Sequence, residues 1–167
     1  NASAIGYYGD AGDKVLDEES PVGEGFLAEV CSRWEKGLFK GPSEIRKVAL
    51  RIGVVLGRQG GAVKEMLPIF QNSLGGPLGS GNQWMSWIHV DDLVSLIIFS
   101  LESTKVRGVI NAVAPTPVTN RDFTKALANS LGVKAIFKAP SIALRTALGE
   151  MSEVLLSSQR VSNQKIL

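Results

Sequence analysis

Between Gly23 and Phe39 the apolar residues Leu27, Val30, Cys31, Trp34 and Leu38 recur at helical spacing, and Glu29 with Arg33 makes an i,i+4 pair on another face, so the segment is predicted to be an amphipathic helix. The pattern then changes. Lys47 to Leu56, KVALRIGVVL, is nearly continuously apolar and β-branched, which fits a central strand covered on both faces. A second helix is expected from Ala62 to Leu74, interrupted or bent near Pro68, running into the glycine-rich turns of GGPLGSG at 75–81. Trp84 to Val90 reads as extended, and Asp91 or its neighbour caps a helix to about Leu101 with Leu93, Leu96, Ile97 and Leu101 inward. Gly108 to Ala114 reads as a strand, and Thr119 with Asp122 forms an N-cap signature for a helix over 120–131 that Gly132 stops. Toward the C-terminus the pattern gives a brief strand at Ala135–Lys138, a helix from Ser141 to Leu148 and a strand at Val154–Leu156. Residues 1–21 read as a short apolar start followed by an exposed loop rich in glycine and carboxylates. Strands alternating with helices predict an α/β layer fold with parallel strands, and no internal boundary or repeat is visible.

Composition narrows the function classes. With 167 residues, 44% hydrophobic and 20% charged, the chain has the make-up of an ordinary globular domain. The 18 Lys and Arg against 16 Asp and Glu leave a net charge of +2 and no basic block, which gives no footprint for nucleic acid. The longest apolar run, Leu93 to Leu101, falls far short of the roughly 20 residues of a transmembrane helix. One Cys and one His exclude a disulfide within the chain and a Cys/His metal cluster. Cys31 sits among the inward positions of its helix and reads as core.

YYGD, LAEVCSRWE, LRIGVVLG, GGPLGSGNQW, SWIHVDDLV and NAVAPTPVTNRDF, in that order, resemble the short-chain dehydrogenase/reductase superfamily, within it the atypical, extended, epimerase-like branch that includes bacterial proteins and the SulA-like plant plastid proteins. The resemblance covers essentially the whole chain. It implies the C-terminal part of an NAD(P)-binding Rossmann-type parallel sheet with a smaller α/β substrate domain, residues 1–167 being a single fragment whose N-terminal Gly-rich dinucleotide-binding half is absent. No G-x-G-x-x-G stands between a strand and a helix, and GGPLGSG has the wrong spacing, with Pro77 lacking a donor; it reads as turns, with a phosphate- or sugar-facing loop as the alternative. NAD(P) is accordingly expected in the full-length parent, with weak or no binding by this piece.

The resemblance implies a Ser, a Tyr and a Lys four residues after the Tyr. Ser3 matches the Ser; the Tyr-x-x-x-Lys pair is not found, because Phe26 and Leu27 stand with Val30 and Cys31 where it belongs. Tyr7 and Tyr8 are the remaining candidates for an acid/base, set against simple aromatic packing. Arg51, in an apolar strand, needs a partner if buried. The resemblance puts it at the nicotinamide end of the cofactor with Gly53, Val54 and Val55, a structural ion pair being the competing reading. Trp84, Trp87 and His89 are candidates for a substrate pocket, against core packing of a tryptophan and a structural place for His89 beside two helix-capping carboxylates, and no metal is expected at His89. Two functions stay open: an NAD(P)-dependent epimerase or oxidoreductase acting on an unknown small molecule, and a non-catalytic interaction protein that retains the fold, plastid-division-related or part of a larger complex, with a protein partner or second copy. Localisation is chloroplast by resemblance to the plant proteins, otherwise soluble cytoplasmic.

Overall fold

The computed structural model describes residues 1–166. Strand β1 (Ala2–Ala4) runs into a 3-10 turn at Ile5–Tyr8, followed by β2 (Val15–Leu16) and helix α1 (Phe26–Phe39). β3 (Val48–Ile52) and β4 (Val54–Leu56) lead to α2 (Gly61–Gln71). β5 (Trp84–Met85) and β6 (Trp87–His89) precede α3 (Val90–Glu102) and β7 (Gly108–Ala112). The chain continues through β8 (Val118–Thr119), α4 (Asn120–Ser130), α5 (Ser141–Leu148), α6 (Glu153–Leu156) and β9 (Arg160–Val161).

β1, β3 and β7 form a parallel sheet with β3 in the middle. Parallel neighbours need long crossovers, which is why the helices alternate with the strands. The α/β architecture expected from the pattern is the one observed. β4 pairs with β6 and β2 with β9, both parallel, while β5 pairs with β8 antiparallel. One apolar cluster gathers Ile5, Tyr8, Leu16, Val113 and Val161; the other gathers Leu50, Ile88, Val106, Ile110 and Ala112 under Leu93 and Leu96 of α3.

Several elements depart from the sequence pattern, each for a local reason. The apolar run 47–56 is two strands, because Gly53 crosses from β7 to β6: its N–H bonds Ala112 O at 3.1 Å, and the next N–H, of Val54, bonds Ser86 O at 2.9 Å. A Cβ at Gly53 would lie 2.6 Å from Ser86 O, so only glycine permits this approach. α1 starts at Phe26 rather than 23, since Gly25 at φ +99° stands outside the helix. Its buried face is Ala28, Cys31, Ser32 and Glu35, leaving Trp34 half exposed. α2 continues through Pro68, whose missing N–H leaves free only a carbonyl on the exposed turn at Lys64. α3 turns Leu93, Leu96 and Ser100 inward and Leu101 outward, 72% exposed. The strand expected at Ala135–Lys138 is reduced to an isolated bridge between Leu78 and Ala139. Val154–Leu156 is helix, because the 3-10 turn Gly149–Ser152 flows into it and Ser157 N–H closes on Glu153 O. The loop after β1 is not wholly exposed: Leu16 is buried and its strand pairs with β9.

Leu50 in the central strand is 6% exposed, whereas Val54 is only half-buried in the outer pair. Leu50→Ala is therefore expected to cost about 2–5 kcal/mol, read from urea unfolding, with Val54→Ala costing less. Gly53→Ala should also lower the unfolding midpoint.

Candidate functional site

Parallel register places Ser3 beside Arg51 and Arg51 beside Asn111, so one row crosses β1, β3 and β7. α1 adds Glu35 to this row, and the 3-10 turn after β1 adds Tyr7 and Tyr8. Arg51, 2% exposed, donates from Nε to Glu35 Oε1 at 2.9 Å and from Nη2 to Glu35 Oε2 at 2.8 Å. Ser3 Oγ donates to the same Oε1 at 2.8 Å. From Nη1, Arg51 reaches Tyr8 OH at 2.9 Å and the carbonyl of Glu18 at 3.4 Å. Tyr8 OH donates to Asn111 Oδ1 at 2.7 Å, and Asn111 Nδ2 donates to Ser162 O at 2.9 Å. The guanidinium carbon stands 3.4 Å from the centre of the Tyr7 ring, which meets the Tyr8 ring edge-on.

A bidentate carboxylate and stacked aromatic rings are what a buried guanidinium requires. Burial works against the charged form of Arg51, yet the hydrogen bonds with Glu35 and Tyr8 outweigh it and hold its pKa above the usual arginine value. The opposite balance governs Tyr8. Burial pushes its pKa from 10.0 up to about 12, against the pull of Arg51 and Asn111. Tyr8 is thus a fixed hydroxyl bridge at neutral pH. Burial also raises the Cys31 thiol, which keeps it unreactive.

The other residues singled out from the sequence lie apart from this row. Gly53 faces the Ser86 backbone; Val54 and Val55 are half-buried in β4, in register with Trp87 and Ile88. Trp87 Nε1 donates to Thr116 O at 3.1 Å. Trp84 donates to Asp13 Oδ1 at 2.9 Å, with Arg160 over its ring. His89 is the N-cap of α3, where an Asp was expected: its Nδ1 accepts from Asp91 N–H at 3.3 Å. Among the described residues no cluster of three or more His, Cys, Asp and Glu could hold a metal, and no helix is long and apolar enough to cross a membrane.

A cavity of about 350 Å³ opens at the carboxyl end of β1. Gly6, Gly9 and Asp10 line it from the turn, Gly25 and Leu27 from the start of α1, and Arg145, Glu153 and Gln159 from the C-terminal segment. Gln159 Nε2 donates to Gly9 O at 3.0 Å, tying the two walls together. Ligands in open α/β sheets bind outside the carboxyl ends of the strands, and this cavity has that position.

Glu35 was missed in the sequence. It follows Cys31 by one helical turn, on the stripe identified as inward, and a carboxylate there opposite an Arg in a buried strand was the available signal. Asn111, a polar residue within an apolar strand, was the second.

Comparison with known proteins decides the family. The NAD dependent epimerase/dehydratase family model matches residues 40–112, and a domain of unknown function, DUF1731, matches residues 139–167. The epimerase family protein SDR39U1 homolog, chloroplastic, of Arabidopsis thaliana is 47% identical over 96% of this chain and 46% of its own length. The SDR39U1 protein of Mus musculus is 40% identical over 99% of this chain and 57% of its own. The human epimerase family protein SDR39U1 (isoform 2), solved with NADPH, superposes with a TM-score of 0.93 at 36% identity over 98% of this chain and 56% of that one. The chain belongs to this epimerase family. Its sheet is the Rossmann-type sheet of that family. The chain spans about half the length of the curated relatives it matches. A Thermus thermophilus UDP-glucose 4-epimerase, 18% identical with a TM-score of 0.71, shares the fold.

Removing one partner of the buried pair strands the other. Glu35→Ala is expected to cost about 3–5 kcal/mol by urea unfolding, far more than Glu29→Ala at the exposed i,i+4 pair. Because the folded pKa of Tyr8 lies above the unfolded value, its contribution is fully present below pH 10 and lost as pH rises toward 12. Tyr8→Phe should flatten the stability profile across that window, as followed by circular dichroism.

Proposed function

We propose that residues 1–167 form the substrate-facing part of an NAD(P)-dependent epimerase or oxidoreductase-like protein. The observation that carries this reading is the cavity at the carboxyl end of β1, lined by Gly6 and Gly9 of the turn that Arg51 and Asn111 hold through Tyr8. NADPH in the related human structure supports the cofactor. The cofactor supplies hydride chemistry when bound. In this reading the nicotinamide-end contact expected of Arg51, Gly53, Val54 and Val55 is left to Val54 and Val55, since the guanidinium is buried on Glu35 and Gly53 is packed against Ser86. In this reading Arg51 is a positioning residue that holds Tyr7 and Tyr8. Ser3, bonded to Glu35, serves the same scaffold.

Tyr7 is the hydroxyl left for proton transfer; it is not itself a lining residue but stands in the turn between Gly6 and Gly9, which line the cavity. It is half-buried, it forms no side-chain hydrogen bond among the described residues, and the Arg51 charge lies over its ring. The cavity carries Asp10, Glu24 and Glu153 against the single cation Arg145, a surface suited to a substrate rich in hydroxyl donors. Trp84, Trp87 and His89 stand neither on its lining nor in the turn that forms its wall, so they are not assigned to the substrate. A chloroplast location follows the description of the Arabidopsis relative; mycobacterial and mouse relatives of 40–43% identity widen the possible settings.

Two measurements test the reading. Calorimetric titration of the 167-residue chain with NADPH should show weak binding or none, since no Gly-rich phosphate loop stands in it; tight stoichiometric binding would overturn this division of the site. In a longer protein carrying that loop ahead of these residues, Tyr7→Phe should lower turnover about 10²–10⁴-fold with cofactor affinity kept. Equal turnover in wild type and Tyr7→Phe places the acid elsewhere, and absence of turnover on carbonyl and nucleotide-sugar substrates favours the interaction-protein reading.

A further inference from the structure

A second cavity, of about 540 Å³, lies between α4 and the segment 133–138, with Pro77 and Ser80 of the glycine-rich turns on its edge. Its charge is opposite to that of the β1 cavity. Arg121, Lys125, Lys134 and Lys138 line it, and no carboxylate does. None of the four forms an ion pair among the described residues. The neighbouring Asp122 is occupied at the helix start, where Thr119 Oγ1 donates to its Oδ2 at 2.6 Å. Four like charges around one concavity repel each other, and an anion between them relieves that repulsion.

A second, independent observation points to a ligand. Thr124 lines the same cavity, is 1% exposed, and its Oγ1 has no hydrogen-bond partner. A threonine inside a helix ordinarily bonds a carbonyl of the preceding turn, as Thr146 does with Ile142 O at 3.1 Å. Thr124 makes no such bond, leaving a buried, unpartnered hydroxyl at the cavity wall. Arg121, Thr124, Lys125 and Ala128 fall at i, i+3, i+4 and i+7, so one face of α4 brings together a hydroxyl, an ammonium and a guanidinium whose Nη2 donates to Ser80 O and Asn82 Oδ1, leaving its other N–H groups for a ligand. The volume is that of a small-molecule site.

We propose that this cavity binds a phosphate-bearing small molecule, the phosphate meeting Arg121, Thr124 and Lys125 from the helix and Lys134 and Lys138 from the facing segment. The site is separate from the β1 cavity and does not depend on the function assigned there. Inorganic pyrophosphate, titrated into the 167-residue chain and followed by ¹H–¹⁵N NMR, is expected to give saturable shifts at Thr124, Lys125, Lys134 and Lys138. Lys125→Ala should weaken binding about ten-fold, the loss of one charge-assisted contact, and Thr124→Val, which keeps the side-chain shape, should weaken it as well. Arg145→Ala, in the other cavity, should leave it unchanged. Far-UV circular dichroism checks that each variant folds. No saturation at millimolar pyrophosphate, wild-type affinity in both Lys125→Ala and Thr124→Val, or loss of binding in Arg145→Ala would each overturn the proposal.

Discussion

A guanidinium buried in the middle of a parallel sheet is the constraint around which this protein is arranged. Arg51 stands on the central strand, and its charge is tolerated only because Glu35 accepts from it twice while two tyrosine rings pack against it. The pair does more than cancel its own desolvation. It fixes the rotation of α1 over the sheet, since Glu35 must face inward while Trp34 faces out. It also holds the turn after β1, because Tyr8 is clamped between Arg51 and Asn111. Ser3, Arg51 and Asn111 occupy one register row, so a one-residue slip of any strand would break the whole arrangement.

This network explains why the chain carries a serine and tyrosines near β1 without a neighbouring lysine. In the structure Ser3 and Tyr8 spend their hydroxyls on Glu35 and Asn111. A phenol that burial raises to about 12 is a poor proton carrier at neutral pH, whereas it is a good rigid bridge. The chemistry of the proposed site therefore falls to groups at the edge of the network, with the network itself supplying preorganisation.

The two cavities are electrostatically complementary to different ligands. Of the four charged residues that line the one at the carboxyl end of β1 three are carboxylates, and the one beneath α4 is lined by cations alone among its charged residues. With a net charge of +2, the overall charge gives no hint of either. Segregation arises because α4 brings one polar face, and the loops around β1 another, to opposite tasks.

Periodicity alone carried the α/β class, the extents of α4 and α5 within a residue or two, the Thr119 cap and, of the central strand expected over Lys47 to Leu56, the part Val48–Ile52, because those features depend on residues close in sequence. The need of Arg51 for a partner was equally legible, since desolvation cost follows from residue type and strand burial. Which carboxylate met it was decided by the packing of α1 on the sheet, 16 residues away. The break at Gly53 required Ser86 to approach from another strand. Tyr8 and Tyr7 were indistinguishable as letters, and only the register of Asn111 beside Arg51 separated a bridged hydroxyl from a free one. His89 has the capping role expected of an aspartate because it stands just before the helix with extended backbone, where its Nδ1 accepts the Asp91 N–H. Local propensity settled most of the helices, and contacts between residues distant in sequence, which no local pattern encodes, settled where the strands break and which side chains could act.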